Sequence, residues 1–485
     1  MLLLYQLKSS HCHAKGEHMA TDLFNDPRDD TLIKRRPWYV LAVALLLLSV
    51  LTRQPIAFLA ALFSFVIGIV PELWYRYALR NLVIRQWVSQ KRAFFGEAVT
   101  LSVSVENQKL LPLPWLEIED EIPIQLPLLS GRAYPTYKVN RVALVNTFSF
   151  WAYQRVTRRY QLACKARGVY VFGPVNLRSG DPFGWLVREE RLSARETLLV
   201  YPLVAPIESF GLPPRHPFGQ HSTPRRLLED PLRVAGVREY VRGDDPRRIH
   251  WKATARAGEL RSKIYEPNSQ YRLLVLLDIN TYAAPWMGLD PEIQELTIAA
   301  AASLAMWALD EGYAVGLLAN SLMMALSGEY LEEGDAPGAQ PHPLDTRSAA
   351  QAFMHRVRVP MASGSSQREQ ILSALGRLLP YYGSSIDKLI EAERFMLPSG
   401  TTVVFLSAIA ALCEATIESL VDLRAHGAEV HLVLTGDSDS TSGTDTYDLP
   451  VYKLGGREVW HKLVTTVDDE GRQNTGTSAT ILHMD

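Results

Sequence analysis

Two uncharged apolar segments near the N-terminus constrain this chain more than any other feature. Trp38 to Thr52 reads WYVLAVALLLLSVLT, and Ile56 to Val70 reads IAFLAALFSFVIGIV, with an Arg-Gln-Pro connection between them. Aromatic residues, which concentrate at membrane–water interfaces, stand at both outer ends. Each segment is shorter than the ~20 residues that span a bilayer comfortably. We nevertheless expect a two-helix transmembrane hairpin over residues 37–76, rather than a buried helical pair or a cleaved signal peptide.

Basic residues lie outside this hairpin at both ends. Lys34 to Arg36 precede the first segment, and Arg76, Arg80 and Arg85 follow the second. Basic flanks stay in the cytoplasm. We therefore expect a multi-pass protein of the inner (cytoplasmic) membrane with its soluble domains in the cytoplasm. The three cysteines are far apart and form no C-x-x-C pair, which suits a reducing compartment.

Length and charge bound the rest of the chain. A chain of 485 residues is too long for one core, and its net charge of -2 argues against a generally basic nucleic-acid binder. Changes in composition and periodicity predict five units along the chain. They are a disordered segment over 1–36, the hairpin over 37–76, a β-sandwich-like domain over 84–206, an α/β domain over 225–464 and a polar tail over 465–485.

The unit after the hairpin has the alternation of half-buried strands. In Val99 to Val105 every second residue is Val or Leu, and Gly173-Pro174 marks a turn between two further short strands. This spacing predicts a small β-sandwich whose role is packing rather than ligand binding. We expect Trp151, Phe183 and Trp185 to belong to its core.

The next unit has a different periodicity. Tyr271 to Ile279 is a nearly continuous apolar run, as in a strand covered on both faces. Further strands and helices alternate after it, which predicts a doubly wound, mostly parallel α/β sheet. The expected helices are Pro291 to Asp310, those that fill Arg368 to Met396, and Ala411 to His426. The expected strands are Tyr313 to Ala319, Thr401 to Leu406 and Glu429 to Leu434.

A charged segment joins the two units. Val237 to Pro267 reads VREYVRGDDPRRIHWKATARAGELRSKIYEP and is called the signature segment below. A turn at Gly243 and a cap at Asp244 or Asp245 predict a helix that begins at Pro246, and Gly258 is suited to end it. On such a helix Arg248, Lys252 and Arg256 form one basic stripe. The stripe either binds a phosphate, nucleic acid or an acidic partner surface, or pairs internally with the neighbouring acidic residues.

The signature segment resembles that of a bacterial family, domain of unknown function 58. The pattern R-E-Y-x-x-G-D-D-x-R-x-I-x-W-K-x-x-A-R carries the resemblance, together with ARGVYVFGP from Ala166, SGDPFGW from Ser179 and the N-terminal hairpin. The matching positions are Arg238, Glu239, Tyr240, Gly243, Asp244, Asp245, Arg247, Ile249, Trp251, Lys252, Ala255 and Arg256. The candidate partner-binding residues are Arg238, Glu239, Tyr240, Gly243, Asp244, Asp245, Arg247, Arg248, Trp251, Lys252 and Arg256. The resemblance implies a von Willebrand factor A-like C-terminal domain and a MoxR-type AAA+ ATPase as protein partner.

The von Willebrand factor A resemblance implies one metal site. Such domains often hold Mg²⁺ with a D-x-S-x-S loop after the first strand, because a hard cation prefers hydroxyl and carboxylate oxygens. Here Asp278 and Asn280 occupy the first two positions, Tyr282 replaces a serine, and Ser407 stands where an aspartate is expected. The site is degenerate, so we expect no cofactor beyond weakly bound Mg²⁺.

Enzyme motifs are missing from the sequence. It has no G-x-x-x-x-G-K-[ST] loop, no G-x-S-x-G and no H-E-x-x-H. We therefore expect no catalytic activity, and a membrane-anchored interaction platform that acts with the AAA+ ATPase in the assembly or maturation of partner proteins. A structural scaffold in cell-envelope assembly and an unrecognised hydrolase remain as alternatives.

Overall fold

The computed structural model describes most of the chain from Arg36 onward. The described residues are 36–192, 196–213, 217, 229–242, 244–267, 271–324, 357–381, 383, 385–398, 400–437, 448–467 and 469. The segment expected to be disordered lies almost entirely outside them. The polar tail was expected to begin at residue 465, but a helix at 457–467 runs past that position. Most of the expected tail also lies outside the described residues.

The two apolar segments form helices that pack against each other. They are α1 (Arg36–Thr52) and α2 (Pro55–Tyr77). Within the described residues, α2 is long and apolar enough to cross a membrane, whereas the apolar part of α1, Val40–Thr52, is shorter than a span. The structure therefore has one candidate membrane helix near the N-terminus, and a second pass stays a prediction.

Eleven strands follow and build the predicted β-unit. Three sheets form it, in the orders β1-β3-β7, β10-β9-β4-β6-β5 and β2-β11-β8. Two clusters of buried apolar side chains lie within the unit, one around Leu101 and Phe172 and one around Leu116 and Phe150. The strands are β1 (Leu82–Val88), β2 (Arg92–Ala93), β3 (Ala98–Asn107), β4 (Leu113–Pro123), β5 (Tyr134–Pro135), β6 (Arg141–Phe150), β7 (Arg155–Ala163), β8 (Gly168–Phe172), β9 (Val175–Gly180), β10 (Val187–Leu192) and β11 (Glu196–Val200).

Three aromatic residues expected in this core are on the surface instead. Trp151, Phe183 and Trp185 are 77%, 52% and 54% exposed. All three lie in loops that connect strands, where the alternation that buries every second strand residue does not operate. The expectation that they belong to the core is wrong.

The signature segment lies between the β-unit and the α/β unit. Its elements are β12 (Glu229–Glu239), a single 3₁₀ turn (Pro246–Arg248), α3 (Trp251–Ala257) and β13 (Arg261–Pro267). Strands β12 and β13 pair antiparallel with each other and form a separate two-stranded sheet in the described part of the chain.

The C-terminal unit is a doubly wound α/β layer structure. Its six-stranded sheet has the order β16-β15-β14-β17-β18-β19, and every pairing is parallel except that of the edge strand β16. Helices α4 and α5 cover one face, and α6 and α7 cover the other. The elements are β14 (Arg272–Leu277), α4 (Pro291–Asp310), β15 (Ala314–Ala319), β16 (Val357–Ala362), α5 (Ser365–Arg377), α6 (Ile386–Glu393), β17 (Thr402–Ala408), α7 (Glu414–Ala425), β18 (Glu429–Thr435) and β19 (Val451–Gly455).

The two soluble units share one apolar core. Phe95 and Tyr201 of the β-unit lie in the same buried cluster as Leu296 of α4 and Leu375 of α5. Burial of such side chains stabilises by about 1.5–3 kcal/mol each. The likeness of the C-terminal unit to von Willebrand factor A domains rests on the sequence resemblance and stays a prediction.

Candidate functional site

The signature segment is organised by three local caps. Asp245 accepts a hydrogen bond from the Arg247 backbone N–H at 3.0 Å, and Pro246 follows it at the first position of the 3₁₀ turn. His250 Nδ1 accepts from the Ala253 N–H at 3.1 Å and caps α3. At the other end Gly258 takes a left-handed conformation, with φ of 74°. A proline at the start and a glycine just past the end are the expected helix signals.

Asp244 holds the turn that leads out of β12. Its carboxylate accepts from the Val241 N–H at 3.1 Å and pairs with Arg238 at 2.6 Å. The Tyr240 hydroxyl donates to the Asp244 carbonyl at 3.0 Å. The Val241 N–H, and then Arg238, keep the pKa of Asp244 below its usual value. Gly243, expected in this turn, lies outside the described residues.

The predicted basic stripe is divided by the structure. Ile249 has an extended backbone and bridges to Ser262 in β13, so the helix begins at Trp251 rather than at Pro246. Arg248 therefore ends the 3₁₀ turn, while Lys252 and Arg256 lie one helical turn apart on α3. The expectation of one continuous stripe is wrong, because the pairing with β13 interrupts the helix.

The surface of α3 combines one large aromatic residue with positive charge. Trp251 is 69% exposed, and an open groove lies on the side of the helix that carries Lys252 and Arg256. The residues that line the groove are Val237, His250, Lys252, Ala253, Arg256, Ala257 and Arg261. Residues 236–264 contain eight basic side chains against four acidic ones, although the whole chain has a net charge of -2. This surface suits an acidic protein partner.

The acidic residues of the segment pair within it only in part. Asp244 pairs with Arg238, and Glu239 lies 3.9 Å from Arg261. Lys252 and Arg256 form no ion pair with a described residue and are exposed. The internal pairing considered from the sequence thus accounts for the β12 end of the segment and leaves the charges on α3 facing solvent.

A second candidate site lies at the carboxyl edge of the six-stranded sheet. Asp278 follows the central strand β14 and Ser407 lies in the adjacent β17, on either side of the point where the strand order reverses. Ligands of open α/β sheets bind at such switch points. Asp278 is buried, and burial raises its pKa to about 6 against the opposing effect of its hydrogen bonds.

Protein donors surround the Asp278 carboxylate. Oδ1 accepts from Asn320 Nδ2 at 2.7 Å and from the Asn280 N–H at 3.0 Å, and Oδ2 accepts from Ser407 Oγ at 3.3 Å. Asn280 Oδ1 in turn accepts from the Gly383 N–H at 2.7 Å. The two predicted metal ligands therefore also act as internal hydrogen-bond acceptors, and no cluster of three His, Cys, Asp or Glu side chains suited to a metal occurs within the described residues.

Sequence reasoning missed the role of Asn320. It follows β15 directly, its side chain binds both Asp278 and the Ile279 N–H, and it is buried. The available signal was the Ala-Asn-Ser sequence at the end of the strand over Tyr313 to Ala319, because the carboxyl ends of parallel strands meet at one edge.

Comparisons with known proteins agree with the sequence resemblance in part. The family described as "Protein of unknown function DUF58" matches residues 236–326, which include the whole signature segment and the Asp278 loop. "Uncharacterized protein YeaD" of Bacillus subtilis is 25% identical over 263 residues, 50% of this chain and 62% of YeaD. The match thus spans less than two thirds of that relative's length.

Solved structures that resemble part of the chain are remote. A CARDB domain from Pyrococcus furiosus has a TM-score of 0.17 at 12% identity and covers 24% of this chain and 86% of its own. A cohesin module from a Clostridium perfringens family 33 glycoside hydrolase has a TM-score of 0.19 at 12% identity and covers 25% and 95%. These likenesses carry no argument about function. The family match over residues 236–326 and the YeaD relative agree with the resemblance of the signature segment to the DUF58 family, whose function is unknown.

Proposed function

We propose that this protein is a membrane-anchored interaction platform whose signature segment binds a protein partner. The observation that carries the proposal is the surface of α3, a short helix on which Trp251 and the cations Lys252 and Arg256 are all exposed. Tryptophan and arginine are the residue types that contribute most to protein interfaces. A catalytic role finds no comparable support in the described residues, where the best-formed polar cluster is a carboxylate bound by amide and hydroxyl groups.

The local rigidity of the segment supports a recognition role. The turn at Asp244, the two capped ends of α3 and the Ile249 bridge fix the position of the helix relative to β13. A surface that is ordered before binding loses less conformational entropy when a partner arrives. The partner should present an acidic surface, because the segment is basic while the chain as a whole is nearly neutral.

The partner that the family resemblance implies is a MoxR-type AAA+ ATPase. Helix α2 anchors the platform in the inner membrane in this proposal, and the soluble units then face the cytoplasm where such an ATPase resides. The ATPase supplies nucleotide hydrolysis, since the sequence contains no phosphate-binding loop. Assembly or maturation of partner proteins at the membrane is the process we propose for the pair.

Binding of the purified ATPase to the full-length protein in detergent tests the proposal. Trp251→Ala and the double variant Lys252→Gln/Arg256→Gln should each weaken binding at least tenfold, and the double variant should also reduce the salt dependence. Trp286 lies outside the signature segment and is 87% exposed, so Trp286→Ala is the matched aromatic control. Arg159→Gln, at an exposed position of β7, is the charge control.

Two results would refute this assignment. One is tight binding that neither segment variant alters relative to its control, since the partner would then use another surface. The other is an absence of binding by the wild-type protein with any nucleotide state of the ATPase. A protease-accessible tag that locates the soluble units outside the cytoplasm would separately refute the topology.

A further inference from the structure

One end of the β-sandwich surrounds the C-terminal end of helix α2. The helix leads through a short turn into β1, and the strand registers bring the neighbouring strand ends to the same side. The loops at 108–112, 151–154 and 181–186 therefore lie together there, at what is called the helix-side end below. The pairs that establish this are Leu82 with Asn107, Glu106 with Arg155, Leu113 with Phe150, Leu116 with Ser179 and Gly180 with Val187.

Large apolar side chains are exposed in all three loops. Trp151 and Leu110 are 77% and 76% exposed. The others, also more than half exposed, are Tyr153, Phe183 and Trp185. Single exposed apolar residues need no explanation, but a group of them contributed by three loops at one end marks an interaction surface.

The loops hold these side chains in fixed positions. Asn107 is fully buried, and its Nδ2 donates to the carbonyls of Leu111 and Trp151 at 3.0 Å each. Asp181 is also fully buried and accepts from the N–H groups of Phe183 at 3.0 Å and Leu186 at 2.5 Å. The apolar side chains thus face solvent because the buried polar side chains of the same loops set the backbone.

Direct contacts place this end at the level of the helix terminus. Trp74 Nε1 donates to the Pro112 carbonyl at 2.9 Å, and Lys109 Nζ donates to the Arg80 carbonyl at 2.7 Å. Arg188 also reaches the Arg76 carbonyl at 3.4 Å. Trp74 lies in the last turn of α2, where aromatic residues mark the membrane–water interface of a spanning helix.

We propose that the helix-side end of the sandwich rests on the lipid bilayer that α2 enters. Leu110, Trp151, Tyr153, Phe183 and Trp185 then lie in the interfacial layer, level with Trp74, while Arg76 and Arg80 meet anionic headgroups. The inference rests on the membrane anchoring in the proposed function. It adds that the cytoplasmic unit is held against the membrane and does not hang free on a linker.

The opposite end of the sandwich provides an internal control. Tyr137 is 92% exposed there, beyond the far ends of β4 and β6. Strand β4 separates the two ends by roughly 35 Å at about 3.3 Å per residue. Both ends therefore expose aromatic residues, and only the helix-side end can reach the bilayer that contains α2.

Depth-dependent fluorescence quenching on the full chain in vesicles tests the inference. Cys12 and Cys413 are replaced by serine while the buried Cys164 is kept, and an environment-sensitive dye is attached to Trp151→Cys, Trp185→Cys or Tyr137→Cys. Lipids with a spin label just below the headgroup should quench the dyes at 151 and 185 at least threefold more than the dye at 137. Leu110→Cys serves where a tryptophan variant does not fold.

Each alternative outcome overturns the inference. Equal quenching of the dyes at the two ends overturns the inference. If the chain also stays in the membrane during alkaline extraction, the membrane anchoring by α2 is retained. Dyes at 151 and 185 that are shielded from water but not quenched by lipid mean that a second copy or another protein covers this end. If alkaline carbonate extracts the chain, the anchoring in the proposed function fails as well.

Discussion

Arg167 Nε of the β-sandwich lies 2.9 Å from Glu295 Oε2 on helix α4 of the C-terminal unit. The same guanidinium donates through one NH group to the carbonyls of Leu375 and Leu378 at 3.0 and 2.9 Å, at the C-terminal end of α5. Arg167 is buried, and a cation is favoured at the negative end of a helix dipole. One arginine therefore joins the sandwich to two helices of the α/β layer.

The first prediction follows from this contact. Arg167→Met should destabilise the protein by about 3 kcal/mol, because it leaves Glu295 without its ion-pair partner and two carbonyls without their donor. Thermal unfolding of the detergent-solubilised protein measures the loss. Arg178→Met is the control: its ion pairs with Glu189 and Glu117 are exposed, and we expect a change of at most about 0.5 kcal/mol. Equal effects of the two variants would show that the contact does not join the units.

A second prediction concerns a buried carboxyl group within the sandwich. Asp120 is fully buried and accepts a hydrogen bond from Gln86 Nε2 at 2.6 Å. Burial raises its pKa from 3.8 to about 7, partly offset by the positive charge of Arg141. The folded state therefore binds this proton more tightly than the unfolded state, and stability falls as the pH rises from 3.8 to about 7.

Asp120→Asn should remove this penalty while keeping the acceptor for Gln86. The variant should match the wild type near the low-pH limit and exceed it above neutral pH, by up to roughly 4 kcal/mol. The difference in unfolding free energy between variant and wild type, followed against pH, isolates this group from all others. A difference that does not change with pH would mean that Asp120 ionises normally in the folded protein.

A third prediction concerns the carboxylate at the sheet edge. Asp278→Ala removes the acceptor for Asn320, the Asn280 N–H and Ser407, so we expect a loss of about 3 kcal/mol or more. Asp310→Ala, in an exposed pair with Arg368, should cost little.

The pKa of Asp278 is raised to about 6, so the contribution of Asp278 to stability should fall as the pH rises from 3.8 to about 6.

The effect of Mg²⁺ on the same group is a fourth prediction. Both Asp278 oxygens accept protein hydrogen bonds, and Asn280 Oδ1 accepts one from the Gly383 N–H, so a cation competes with these donors for the same oxygens. We expect millimolar Mg²⁺ to shift the melting temperatures of the wild type and of Asp278→Asn equally. A larger rise in the wild type alone would instead establish a metal site at this edge.

The sequence predicts the regular elements better than the contacts between them. Helix Pro291–Asp310 has the predicted bounds, because its apolar period and its Asp290 cap are both local signals. Strand β16 was not predicted. Its VRVPMA sequence alternates, but Pro360 argues against a strand. In the structure β16 is the antiparallel edge strand, where proline is tolerated. Arg167 belongs to the ARGVYVFGP motif, yet its partners Glu295 and Leu375 lie more than 120 residues away, so no local pattern reveals them.

The candidate sites divide in the same way. The caps of the signature segment were foreseen because Asp245, Pro246 and Gly258 act on their immediate neighbours. The break in the basic stripe was not predicted, because it depends on the pairing of Ile249 with Ser262 of the following strand. The backbone at Trp151 is held by the buried Asn107, which is 44 residues away in sequence.

The last prediction tests whether α3 depends on its C-terminal cap. Gly258 has a φ of 74°, and an added Cβ would meet no atom within 4 Å, so Gly258→Ala costs only the left-handed strain of about 1–2 kcal/mol. Local opening of α3 should become at least fivefold more frequent, and hydrogen exchange of its amides, including the Gly258 N–H bonded to Thr254, measures this. Lys252→Gln/Arg256→Gln is the control and should leave exchange unchanged, because these exposed charges do not hold the helix. If the double variant accelerates exchange as much as Gly258→Ala does, the two cations stabilise the segment itself, and a loss of partner binding in that variant would no longer report a direct contact.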